Sequence, residues 1–336
     1  MIRFGVTVIL LVWICCPASA ASFDNESGHY VLSALPDAER EARRMDRQQL
    51  CDQQPAGLAL RKGERVSITV RGLGGNELAA MVGFRPMWGV ELDQQEQPLI
   101  EGDNVLAAEQ DGPLFFRFIE PKRAKSAATV TINVRGGRPL PLYVDGTMSS
   151  ADWAEELDAH ADAPFVQLFG EQAMITLPSS VHADYPVDDP GATFATINEM
   201  LDLQNELAGF DGKTARDQKT QLRMHYLVDF RVSKADRESF YMYATDQFIG
   251  MLDDNSHELT DPDQLRREWG IWHETGHTHQ QNSWTWGALT EVNVNLFSLY
   301  VQESFGQPSR LSMSEDDQPS TLDKARDYLE NGANNM

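Results

Sequence analysis

Polar and apolar positions alternate with a period of two along three separate stretches of the chain. Val66, Ile68 and Val70 are interleaved with Ser67 and Thr69, and Gly72, Gly74, Gly75 and Asn76 follow as turn chemistry. Leu114, Phe116 and Phe118 repeat the pattern, and so do Val130, Ile132 and Val134, each run bounded by Gly or Pro. Short strands at this spacing predict a small β-sandwich over residues 55–145. Exposed aromatics such as Trp88 would let such a module bind glycans, although large apolar side chains more often belong to a core.

After Asp145 and Gly146 the period changes. Trp153 and Leu157 lie one helical turn apart in an acidic run from Ala151 to Ala161, and Phe194, Ile197, Leu201 and Ala208 mark one face of a helix ending at Gly209. Ala173–Pro178 predicts a strand between them. Met224, Tyr226, Val228, Phe230 and Val232 alternate strictly, predicting a strand that leads towards Tyr241, Met242, Tyr243 and Ala244. Residues 150–336 are thus expected as a second domain, and the fold class as α+β. The polar residues 21–54 predict a linker or short helix, the helix falling within Ala38–Gln49. A short helix is expected again at Leu322–Leu329.

Composition changes this picture mainly at the N-terminus. Arg3, an apolar run from Phe4 to Trp13 and Ala18-Ser19-Ala20 predict a signal peptide over residues 1–20, hence a secreted, periplasmic or cell-surface protein. The run is shorter than the about 20 residues a membrane span needs, so no transmembrane helix is expected. Cleavage after Ala20 removes Cys15 and Cys16 and leaves Cys51, so no intrachain disulfide is expected and Cys51 is read as a buried thiol. Neither Cys15 nor Cys16 follows a small residue, which argues against lipidation. The formal charge of -23 excludes non-specific nucleic-acid binding, which needs clustered Lys and Arg.

The stretch whose spacing dictates a chemistry is Ile271-Trp272-His273-Glu274-Thr275-Gly276-His277-Thr278-His279-Gln280. On a helix, His273 and His277 share a face, so two imidazoles can converge on one zinc ion, with Glu274 placed as general base on its water. Catalytic zinc takes three protein ligands, and Asp261, His279 and Glu291 are candidates for the third. His279 is about 200° round the helix from His277 and points away. Glu291 follows Trp284-Thr285-Trp286-Gly287, which can turn the chain into an antiparallel helix from Ala288 to Glu303, and it is the ligand selected. Gly276 is costly within a helix and implies a close-packed neighbour. Tyr241, Tyr243 and His225 are candidate oxyanion donors, with nothing to choose among them. Asn293 and Asn295 are read as surface residues in preference to partners of the ligands.

The run from His273 to Gln280, followed by Trp284, Gly287 and Glu291-Val292-Asn293-Val294-Asn295-Leu296-Phe297-Ser298-Leu299-Tyr300, closely resembles the enhancin-like zinc metallopeptidases, which include viral enhancins and bacterial mucin-degrading enzymes. Tyr241-Met242-Tyr243-Ala244-Thr245-Asp246 with Ile249-Gly250, and Pro141-Leu142-Tyr143 with Gly146 and Trp153, extend it over roughly residues 55–305. The resemblance implies a gluzincin site, with His273, His277 and Glu291 as ligands to one zinc ion and Glu274 as base. It also implies an N-terminal β-sandwich before a mainly helical catalytic domain, and a secreted hydrolase acting on glycosylated, mucin-type proteins. Relatives continue through further helices after the Glu-bearing one, whereas this sequence ends at Met336, so a truncated domain or a reduced cleft is expected. A non-catalytic glycan- or mucin-binding protein derived from such a peptidase is the alternative.

Overall fold

The computed structural model describes residues 22–25, 27–48, 50–85, 94–120, 128–229, 231, 241–314 and 318–332. The expected signal peptide, Trp88, Phe230 and Val232 lie outside these residues. The first part of the chain runs β1 (Ser22–Asp24), β2 (His29–Ser33), α1 (Ala38–Met45), β3 (Gln54–Leu60), β4 (Arg65–Arg71), β5 (Glu77–Val82), β6 (Gln95–Pro98), β7 (Gly102–Ala107), β8 (Gly112–Ile119), β9 (Thr129–Arg135) and β10 (Arg138–Pro139). These strands form two five-stranded antiparallel sheets, ordered β1-β2-β9-β4-β7 and β10-β3-β8-β5-β6. Their alternating side chains, among them Val66, Ile68, Val70, Phe116, Phe118, Ile132 and Val134, meet in one apolar core.

Residues 21–54 differ from the linker or short helix expected of them. The helix is present as α1, capped by Asp37 accepting from the Arg40 N–H. Ahead of it, β2 pairs with β9 over five residues and buries Tyr30 and Leu32 completely. Val31 between those two inward positions is itself apolar, so the strand shows no alternation in sequence.

The second part continues with β11 (Leu142–Val144), α2 (Ser150–Ala159), β12 (Phe165–Phe169), β13 (Ala173–Pro178), α3 (Ser179–Asp184), α4 (Pro190–Leu207), β14 (Met224–Val228), β15 (Met242–Ala244) and β16 (Ile249–Met251), then α5 (His257–Thr260), α6 (Pro262–Leu265), α7 (Trp269–His277), α8 (Thr290–Asn293), α9 (Asn295–Ser304) and α10 (Thr321–Asp327). A six-stranded mixed sheet, β11-β12-β13-β14-β16-β15, is its frame, a larger sheet than the mainly helical expectation allowed. Val166, Leu168, Ile175, Leu177, Tyr226 and Val228 pack towards the helices, while Phe169, Met174 and Leu227 join Phe115 and Cys51 in a core shared with the first part. Covered on both faces, these strands are mostly apolar, and Gln167, Thr176 and His225 are buried among them. Cys51 is buried there as a free thiol, and burial pushes it up to about 12. Among the described residues, no helix is long and apolar enough to cross a membrane.

Candidate metal centre

Helix α7 forms because its inward positions are apolar and because its neighbours tie its backbone down. Ile271 and Trp272 are fully buried, and the Trp272 indole N–H donates to the Leu265 carbonyl at 2.7 Å. Gln204 of α4 donates to the Trp272 carbonyl at 2.8 Å, and the Tyr226 hydroxyl of β14 meets Thr275 Oγ1 at 3.0 Å. These contacts fix the rotation of α7 and turn His273 and His277 to its opposite side. A Cβ at Gly276 would lie 3.0 Å from Val294 Cγ2 and 3.1 Å from Phe297 Cβ, so α9 approaches here as closely as a residue without a side chain permits.

That approach brings Glu291 to the histidines. Its Oε2 lies 3.0 Å from His273 Nε2 and 3.4 Å from His277 Nε2. Ligands about 2.0–2.1 Å from a tetrahedral ion are separated by about 3.3 Å, so these atoms are spaced as ligands of a single zinc ion would be. Glu274 is the other nearby carboxylate: His273, Glu274 and His277 can each offer one ligand atom within 4.8 Å of the others. Glu291 is thus a second carboxylate within reach of both imidazoles.

Both imidazoles are oriented by amides. Gln280 donates through Nε2 to the Thr290 carbonyl at 2.7 Å, which turns its Oε1 towards His277 Nδ1, 2.8 Å away. Asn295 donates through Nδ2 to the Glu291 carbonyl at 2.7 Å and presents Oδ1 to His273 Nδ1 at 3.1 Å. A carbonyl can only accept, so both amide orientations follow, and both Nδ1 atoms carry the proton. Each Nε2 lone pair is then free for a cation. Each amide also joins a histidine to the backbone of α8, the turn that bears Glu291.

The single helix expected from Ala288 to Glu303 is divided into a turn at Gly287–Leu289, then α8 and α9. Asn295 explains the interruption. Its side chain takes the carbonyl of Glu291, the acceptor its own backbone N–H would use in a continuous helix. Its place beside His273 favours the partner role over the surface role preferred from sequence, and its i,i+4 relation to Glu291 is a signal for it. Gln280, three residues after His277, was also overlooked. Asn293 instead donates to the Trp284 carbonyl at 2.9 Å.

The other candidates lie apart from this cluster. Asp261 caps α6 by accepting from the Asp263 N–H at 2.8 Å. His279 falls beyond the end of α7, its ring against Phe297 and its Nδ1 3.1 Å from the Thr275 carbonyl. Burial and the nearby Arg47 push it well below the ordinary histidine range. His225 is buried on β14, 3.0 Å from Thr176 Oγ1, and burial with Arg231 nearby pushes it down to about 3. The Tyr243 ring lies against Gly250, and its hydroxyl donates to Asp229 Oδ2 at 2.5 Å. Tyr241 differs. Its ring covers Gly270, and it lines an open cleft of about 490 Å³ together with Glu268, Trp269, His273, Glu274 and Arg310. Burial raises the Glu274 carboxyl to about 7, with Glu291 adding to the rise and His277 and the Ala244 N–H opposing it.

A family model described as peptidase M60, enhancin and enhancin-like, matches residues 136–335, the part that carries this cluster. The chain belongs to the peptidase M60 family. Among curated proteins, this M60 chain is similar to TRPM8 channel-associated factor 2 of Homo sapiens, 25% identical over 182 residues that make up 52% of this chain and 18% of that protein. It is also similar to the accessory colonization factor AcfD of Vibrio cholerae, 26% identical over 192 residues, 54% of this chain and 12% of that protein. The chain thus spans less than a fifth of either relative. Among solved structures, a functionally unknown conserved protein from Bacillus anthracis has 26% identity and a TM-score of 0.75, covering 84% of this chain and 57% of that one. The M60 catalytic domain of Clostridium perfringens ZmpC, in complex with the sialyl T antigen, has 17% identity and a TM-score of 0.70, covering 84% of this chain and 58% of that one, and shares the fold.

Proposed function

We propose that the chain is a secreted or cell-surface zinc metalloendopeptidase that hydrolyses peptide bonds in glycosylated, mucin-type proteins. His273, His277 and Glu291 are its zinc ligands and Glu274 its general base. The observation that carries the metal assignment is the approach of one Glu291 oxygen to both Nε2 atoms, at 3.0 and 3.4 Å. When bound, zinc supplies a Lewis acid that makes a water nucleophilic near neutral pH and polarises the scissile carbonyl.

The chain's own residues divide the remaining work. Gln280 and Asn295 hold the imidazoles so that their Nε2 lone pairs converge. Glu274 accepts a proton at its carboxylate and returns it to the leaving amine. Tyr241, in the cleft, is the tyrosine available to donate to a developing oxyanion, whereas the Tyr243 hydroxyl is already bound to Asp229.

The substrate class rests on the family and on structural neighbours whose complexes hold the Tn antigen and the sialyl T antigen. Export rests on the signal-like residues 1–20. The two five-stranded sheets are read as a β-sandwich ahead of a catalytic domain spanning 150–336.

The test is the zinc content and mucin cleavage of the purified chain, alongside Glu274→Gln. Expected are one zinc per chain in both proteins and cleavage in the wild type alone. Chain that takes up no zinc at micromolar concentrations overturns the reading, and mucin retention without cleavage that depends on Glu274 favours a glycan-binding protein instead.

A further inference from the structure

In the cleft beside the metal centre stands a cation that has no anionic partner among the described residues. Arg310 is exposed, and its guanidinium lies 4.9 Å from the centroid of the Trp269 ring. Among the described residues it has no ion pair and no side-chain hydrogen bond. Two of the other arginines stacked on rings carry an ion pair: Arg266, over Phe305, pairs with Glu199 at 2.5 Å, and Arg231, over Phe84, pairs with Asp229 at 2.7 Å. Among the described residues, Arg47, over Phe210, and Arg223, over Phe169, stack without one, and neither lines this cleft. Glu268 lines the same cleft yet makes no ion pair with Arg310.

The backbone of Arg310 is held in place. Its N–H donates to Oε1 of the buried Gln302 at 2.8 Å, which ties the turn Arg310–Ser312 to α9, the helix that also supplies Asn295. Trp269 lies one turn ahead of His273 on α7, a rise of about 6 Å.

The cleft also contains Glu268 and Glu274, on a chain of formal charge -23, so an anionic ligand would be repelled from it without a local cation. A guanidinium backed by an indole leaves its N–H edges free, and those edges match a carboxylate in a bidentate contact.

We propose that Arg310, positioned by Trp269 and Gln302, forms a subsite for a carboxylate on the substrate, in the cleft that His273 and Glu274 also line. The carboxylate belongs either to an acidic side chain of the peptide or to an acidic sugar attached to it. This inference deepens the peptidase reading and rests on it for the word substrate.

Two readouts separate the subsite from the activity. In the first, the zinc-loaded chain cleaves matched glycopeptides that differ only in Asp against Asn near the cut, or only in the presence of a terminal sialic acid. Wild type is expected to favour one charged member by about tenfold in kcat/KM, with the preference lost in Arg310→Gln and partly kept in Arg310→Lys. Preference within the Asp/Asn pair assigns the carboxylate to the peptide, and preference within the sialylated pair assigns it to the sugar.

In the second, calorimetric titration of the same ligands into Glu274→Gln, with and without Arg310→Gln, reads binding alone. Charge-selective binding lost with Arg310 supports the subsite even where no peptide is cut, an outcome that counts against the peptidase reading only. Equal cleavage and equal binding of charged and neutral members by the wild type overturn the subsite and leave the peptidase reading standing.

Discussion

Gln280 and His277 are joined by a 2.8 Å hydrogen bond in which the imidazole Nδ1–H donates to the amide oxygen, while the same amide donates to the Thr290 carbonyl. One side chain therefore sets the tautomer of His277 and its distance from the turn that bears Glu291. Gln280→Ala should weaken zinc binding by about 10–100-fold, as loss of such partners does at other metal sites. Asn295→Ala should act similarly through His273. Competition with a chromophoric chelator measures the affinity. Unchanged affinity in both variants would show that the imidazoles are oriented without these amides.

Gly276→Ala tests the contact between α7 and α9. A methyl group there meets Val294 and Phe297 at 3.0–3.1 Å, so the helices must separate or neighbouring side chains must leave their rotamers. Overpacking of this kind costs about 1–3 kcal/mol. Because Val294 and Phe297 follow Glu291 directly, separation also moves the carboxylate from the histidines. Both thermal stability and zinc affinity are expected to fall. A variant that loses stability and keeps wild-type affinity would show that α8 moves independently of α9.

How much of this was legible in the sequence depends on what covers each element. Strands β4 and β9 show their period where one face meets an apolar core and the other is more exposed, whereas β8 is buried on both faces, with Phe115 in a second apolar core. Strand β14 is buried throughout and β12 at every residue but Phe165, so alternation says little about which side of the mixed sheet each residue faces. The pair His273 and His277 is visible because helical geometry alone puts it on one face. Asn295 is not, because its effect depends on breaking the helix that the pattern from Ala288 to Glu303 predicts to be continuous. Arg310 was also invisible. It reaches the cleft through a turn anchored by Gln302, a tertiary contact with no periodic signature.

Buried His225 should make stability depend on acid. Its pKa is about 3 in the fold and about 6.5 in the unfolded chain, so only the unfolded state takes up its proton between these values. Its contribution is fully present above about pH 6.5 and is lost as pH falls towards 3, at up to about 1.4 kcal/mol per pH unit. Urea unfolding of wild type and His225→Gln between pH 7 and pH 5 isolates this residue from other titrating groups. The wild type should lose stability more steeply than the variant. Equal slopes would mean that His225 is protonated in the folded protein.

Tyr226 and Thr275 offer a test of how the sheet positions the metal helix. Their hydroxyls meet at 3.0 Å, both residues are fully buried, and Thr275 lies between the two histidines. Tyr226→Phe leaves the Thr275 hydroxyl without that partner and should cost about 1 kcal/mol. Only the phenolic oxygen is removed, so packing stays close to that of the wild type. Helix α7 keeps its ties through Gln204 and the Trp272 indole, and zinc affinity should change by less than the Gln280 variant changes it. Chemical denaturation of the metal-free protein reads the first effect and chelator competition the second. A larger loss of affinity than in Gln280→Ala would mean that the rotation of α7, set from β14, limits convergence of the imidazoles more than the amides do.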